Sequence, residues 1–141
     1  MSALLSPREL RERFVEAATA KFARNVPDFV RLRALVAARG GRFLNDHGAI
    51  RTADPAVAAL FVRAARVLGL RRELDYVFPA KKLISFDLQV IGDDAHQFKV
   101  FVSEVDLAAF PAEVARLIRE DCAAQAAAVD HAPLLALIAK A

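Results

Sequence analysis

The chain has 141 residues, is 56% hydrophobic, and carries a net charge of +3 with one cysteine. That length fits one domain, 1–141, with a core of its own. A single cysteine excludes an intramolecular disulfide and a cysteine-based zinc site. No run approaches the roughly 20 apolar residues of a membrane span, and charges interrupt the start MSALLSPRELRER where a signal peptide needs its apolar stretch. A reduced, cytoplasmic protein with no membrane partner is expected.

The chain opens with a helical part, 1–41. Ser6 is placed as an N-cap, Pro7 as the first helical residue and Glu9 as the capping-box partner. Leu10, Phe14, Ala17, Ala18 and Phe22 then recur at helical spacing. A second helix begins near Pro27 and stops at Gly40-Gly41. Residues 42–52 change period and read as a strand. Asp54-Pro55 restarts a helix that Gly69 ends, and two strand-like runs follow, 73–78 and 83–91, separated at Pro79. Gly92-Asp93-Asp94 supplies a turn and 96–107 a last strand. A helix from Pro111 to about Ala128 and a short apolar helix after Pro133 complete the C-terminal part, 111–141.

The net charge conceals an asymmetry. Residues 1–82 hold sixteen Lys and Arg against eight Asp and Glu, whereas residues 83–141 hold four against nine. The arginines alternate with acids along the helices, as on a solvated surface, and do not form the concentrated patch of a nucleic-acid protein. No nucleic-acid partner is therefore expected. A modest positive field that attracts a small anion is the other reading.

Chemistry concentrates in few residues. In a strand His47, Ala49 and Arg51 share one face, with about 13 Å between the outer two at the backbone. Imidazole is a ligand for divalent iron or zinc, and a guanidinium fork holds a carboxylate. Glu104 is in phase with Phe98, Val100 and Val102, where a carboxylate is costly unless it is paired, metal-bound or at the solvent edge. Lys81 and Lys82 face opposite sides of an extended segment, and Lys82 is assigned to an acidic substrate. His96 and His131 read as exposed. No Gly-rich phosphate loop and no nucleophile triad is present, and Cys122 reads as packing.

Residues 42–110 thus read as strand, helix, strand, strand, strand. This order resembles the β-α-β-β-β module of the vicinal-oxygen-chelate superfamily, so the expected class is α+β, a single such module with N- and C-terminal helices. One module makes a curved, half-open sheet that packs against a second, with metal ligands drawn from its first and fourth strands. That arrangement suits His47 and Glu104. No internal repeat supplies the second module here.

FLNDHGAIRT, YVFPAKKL and FKVFVSEVDL, in this order, resemble the N-terminal part of the 2-oxoadipate dioxygenase/decarboxylase family, formerly a domain of unknown function. The resemblance implies that His47 is a ligand of Fe(II) and that Arg51 contacts the 2-oxo acid. The implied reaction joins O2 to 2-oxoadipate, releasing CO2 and 2-hydroxyglutarate. Members of that family are longer and place their remaining iron ligands in a second module, and Glu104 does not match their iron glutamate. The expectation is an enzyme that is truncated or needs a second module. The alternatives are a metal-free binding module and a glyoxalase-like homodimer in which His47 and Glu104 of each copy complete a metal site.

Overall fold

Helix α1 (Pro7–Asn25) begins at the capping box that its sequence spells. Ser6 Oγ accepts the Glu9 backbone N–H at 3.3 Å, and the Glu9 carboxylate accepts the Ser6 backbone N–H at 2.8 Å. Two donors of the first turn are thereby satisfied. Helix α2 (Pro27–Ala37) follows after Val26, again with proline at its first position. It ends at the glycine pair, where Gly40 takes φ +73° and Gly41 donates its N–H to the Val36 carbonyl. Phe29 packs edge-on against Phe22 and Phe43, each at 5.1 Å between ring centroids.

The structure is a computed structural model that describes residues 5–43, 47–92, 98–130 and 132–139. The expected Asp93-Asp94 turn, His96 and His131 lie outside the described residues. Two compact units emerge, Met1–Asp46 and His47–Ala141. The boundary lies five residues beyond the helical part drawn from sequence.

The second unit is built from β1 (His47–Thr52), α3 (Pro55–Val67), β2 (Arg71–Phe78), β3 (Leu83–Gln89), β4 (Lys99–Val105), α4 (Ala112–Ala127) and α5 (Ala132–Ala139). The four strands form one sheet in the order β1-β4-β3-β2, with β1 parallel to β4 and the other pairs antiparallel. This is the expected α+β class and the β-α-β-β-β order. Among the described residues, Arg42, Phe43, Phe98, Asp106 and Leu107 lie outside the strands expected to include them, and β2 starts earlier, at Arg71.

Helix α3 fixes which face of the sheet is covered. Asp54 caps it by accepting the Ala56 N–H at 2.8 Å, and Pro55 occupies its first turn. At its other end Gly69 takes φ +74°, a conformation that only glycine adopts cheaply, and Leu70 donates its N–H to the Ala65 carbonyl. The chain then turns straight into β2. The inward residues Ala58 and Ala65 pack with Leu70, Phe86, Leu88 and Val102 in one buried cluster, with Ile50 and Val100 against it. The small alanines let the helix approach the sheet closely, so large side chains fill the core from the strand side. Gly48 belongs to the same economy of space, because a Cβ there would lie 3.0 Å from Phe98 Cζ. Glycine in this strand admits the Phe98 ring against the backbone.

Candidate functional site

Side chains alternate across a strand, and the alternation in β1 is clean. Gly48, Ile50 and Thr52 are half-buried, while His47, Ala49 and Arg51 are exposed. The shared face expected for His47 and Arg51 is present. Register with β4 pairs His47 with Lys99, Ala49 with Phe101 and Arg51 with Ser103, which places those three β4 residues on the same face. It is the face opposite the α3 core.

Phe101 is the centre of that face. Its ring lies 6.5 Å from the His47 ring, 5.2 Å from Tyr76 and 6.4 Å from Phe78. Tyr76 and Phe78 are themselves stacked at 6.2 Å. The His47 imidazole therefore stands beside an aromatic floor laid by β2 and β4, with Arg51 on the same face opposite Ser103. Beneath it, Ser85 and Ser103 are buried and hydrogen-bonded to each other at 3.0 Å.

Asp87 is the buried acid of this face, at 5% exposure. Its Oδ1 accepts the Leu74 backbone N–H at 2.9 Å, and Oδ2 accepts the Tyr76 hydroxyl at 3.4 Å. The Leu74 contact falls within the register shift of β2 between Arg72 and Asp75. A bulge leaves a ladder donor without a strand partner, and here the carboxylate supplies one. Burial raises the Tyr76 phenol above its ordinary value of 10.0, helped by the Asp87 charge and the hydrogen bond to it. Tyr76, Asp87, Phe101 and Lys99 are the members of this face that motif reading misses. Their signal is the period-two phase of β3 and β4 relative to β1, which needs the register to be read.

Glu104 is not a member, so the two residues expected as metal ligands, His47 and Glu104, are not brought together on one face of this sheet. Glu104 pairs with Thr52 of β1 and Ile84 of β3, an odd number of positions from Lys99. It therefore emerges on the α3 face, in phase with Val100 and Val102 as its sequence spacing indicated. Lys82 also departs from expectation. It follows a short 3-10 turn (Pro79–Lys81) and takes the left-handed conformation, φ 52°, so Lys81 and Lys82 do not alternate along an extended segment. Lys82 Nζ sits 4.1 Å over the Phe110 ring, beyond the Arg51 end of the sheet. Cys122 is half-buried on α4.

The donor set bears directly on an iron centre. Non-haem iron takes two histidines and a carboxylate with positions left open. Among the described residues no group of three His, Cys, Asp or Glu could hold a metal ion. On this face His47 is a donor, whereas both carboxylate oxygens of Asp87 accept hydrogen bonds from protein groups. The described residues alone do not fit an iron centre. Nor is any described helix long and apolar enough to cross a membrane.

Neither a protein-family model nor a curated protein sequence matches the chain. Solved structures do. A glyoxalase-superfamily candidate from Ralstonia eutropha JMP134 aligns with a TM-score of 0.67 at 24% identity, over 80% of this chain and 39% of that one. The hydroxyglutarate synthase of Pseudomonas putida, in complex with 2-oxoadipate, aligns with a TM-score of 0.73 at 19% identity, over 87% and 33%. The chain has the fold of about a third of hydroxyglutarate synthase. A candidate hydrolase from Shewanella frigidimarina NCIMB 400 aligns with a TM-score of 0.59 at 29% identity, over 75% and 41%. The chain thus spans between a third and about two-fifths of each of these proteins. The hydroxyglutarate synthase fold agrees with the resemblance carried by FLNDHGAIRT, YVFPAKKL and FKVFVSEVDL, and the glyoxalase-superfamily relative agrees with the vicinal-oxygen-chelate order of strands.

Proposed function

We propose that this module carries the His47–Arg51 part of a 2-oxo dicarboxylic acid site in an enzyme of the hydroxyglutarate synthase kind. The observation that supports the reading is the exposure of His47 and Arg51 together on one sheet face beside an aromatic floor, in a fold shared with a synthase crystallised with 2-oxoadipate. The overall reaction of such an enzyme balances as 2-oxoadipate plus O2 giving 2-hydroxyglutarate plus CO2. Arg51 binds a substrate carboxylate through its planar fork, a geometry that a lysine does not reproduce. Phe101, Tyr76 and Phe78 exclude water along one wall and orient the carbon chain. Lys99, beside His47, adds positive charge that draws a dianion to the face. His47 is offered as one ligand of Fe(II), with the remaining donors coming from outside the described residues.

Titration of the purified chain with 2-oxoadipate, followed by calorimetry with and without Fe(II), tests this reading. Saturable binding is expected, and Arg51→Ala should weaken it by about tenfold or more, as loss of a bidentate charge pair does. His47→Ala should remove only the Fe(II)-dependent part. No saturable binding, or equal binding by wild type and Arg51→Ala, would sink the proposal. Binding that ignores both Fe(II) and His47 would favour the metal-free binding module instead.

A further inference from the structure

The opposite face of the same unit holds a second concentration of charge. Between α3 and the sheet lies a cleft of about 390 Å³, whose lining includes Arg63, Arg66, Arg72, Glu104, Val62 and Phe86. That volume is within the range of small-molecule sites. Three arginines from two elements line it; Glu104 lines it as well, and Asp75 pairs with one of the three, Arg72.

Two of the three arginines, Arg63 and Arg66, are not neutralised by their surroundings. Arg63, Arg66 and Glu104 make no ion pair and no side-chain hydrogen bond among the described residues. The last turn of α3 favours a cation such as Arg66, but it does not account for three. Arg72 is held in place: its guanidinium lies 4.1 Å over the Phe86 ring, and Asp75 Oδ1 accepts its Nη2 at 2.6 Å and its Nε at 2.8 Å. A stacked, paired arginine is already oriented before a ligand arrives, which lowers the cost of binding. The remaining wall is apolar, formed by Val62, Ala59 and Ala58.

We infer that this cleft is a binding site for a small organic dianion, a dicarboxylate or a phosphate monoester, separate from the His47–Arg51 face. The anionic groups meet Arg63, Arg66 and Arg72, and the carbon body lies along Ala59 and Val62. Glu104 at the same cleft limits the charge it accepts, since a further anionic group would meet the carboxylate.

Backbone-amide NMR of the labelled full chain, titrated at constant ionic strength with adipate, phenyl phosphate and inorganic phosphate, tests the site. Saturable shifts of residues 58–66, Arg72 and Glu104 with at least one organic dianion are expected, and the tighter of the two identifies the acid group. Inorganic phosphate lacks the apolar body and should bind about tenfold more weakly; equal affinity would overturn the organic assignment. The exposed double variant Arg63→Gln/Arg66→Gln should lose at least tenfold in affinity with its circular dichroism unchanged, and Glu104→Gln should bind severalfold tighter. No saturation by either organic dianion, or shifts that Arg51→Ala abolishes and Arg63→Gln/Arg66→Gln leaves intact, would overturn the proposal. Because Arg51 and Arg63 lie on opposite faces, failure here leaves the His47–Arg51 reading standing, and the converse holds.

Discussion

Tyr76 is the one tyrosine of the chain, so phenolate absorbance reports its ionisation alone. Burial, then the Asp87 charge and hydrogen bond, raise its pKa above 10.0. A raised folded-state pKa stabilises the fold fully below the unfolded value and is lost as pH rises through the folded value. The expected titration midpoint is therefore above 10, and Asp87→Asn should bring it down towards 10 by removing the charge; an unmoved midpoint would disconnect the two groups. Glu9 has the opposite sign. Its hydrogen bonds to the Ser6 backbone and hydroxyl lower its pKa from 4.5, so its contribution is present above 4.5 and lost as pH falls through the lower value. Glu9→Gln should flatten the acid limb of the helical circular dichroism, and Ser6→Ala should cost about 1 kcal/mol at neutral pH. The capping box is legible in SPRE because all of its partners lie within one turn. Asp87 is not legible in ISFDLQV, since its partners Leu74 and Tyr76 sit thirteen and eleven positions away across a bulge.

At the level of elements, α3 and the sheet hold each other through a short list of side chains. Phe86 is 2% exposed and central to the cluster, and Phe86→Ala should cost about 3–5 kcal/mol, read from urea denaturation. Gly48→Val should displace the Phe98 ring and cost about 1–3 kcal/mol; stability equal to wild type would show that Phe98 gives way freely. Helix limits are readable wherever a cap or a glycine marks them, as at Asp54 and Gly69. The phase of each strand is readable as well, because alternation is local. The relation between phases is not. Glu104 is in step with Val102, and His47 with Arg51, but only the register of β1 on β4 puts the two pairs on opposite faces. Lys82 departs for a different reason: the Pro79–Lys81 turn breaks the extended backbone that alternation assumes.

Across the whole molecule, the basic first half and acidic second half do not remain apart. Basic β1 lies against β4 of the acidic half, and Lys99, one of the four cations of residues 83–141, falls directly beside His47. That face consequently gathers His47, Arg51 and Lys99. Binding of a 2-oxo dicarboxylate should then weaken severalfold when salt rises from about 0.01 to 0.15 M, as screening shortens from roughly 30 to 8 Å. Salt-independent affinity would remove electrostatic attraction from the account. Among the described residues no group of three His, Cys, Asp or Glu could hold a metal ion, in a chain that covers between a third and about two-fifths of each of the compared structures.

The parallel pairing of β1 with β4 also sets an order of events in time. His47 meets Lys99, its neighbour across the ladder, only after the intervening helix and two strands have been traversed. Hairpin β2–β3 closes locally, whereas the loop joining β1 to its partner carries the largest closure entropy of the sheet. During synthesis His47 and Arg51 leave the ribosome fifty-two positions ahead of their register partners Lys99 and Ser103. The His47–Arg51 face should thus be the last part of the sheet to acquire its geometry, and in pulse-labelled hydrogen exchange the β1 amides should gain protection after those of β2 and β3.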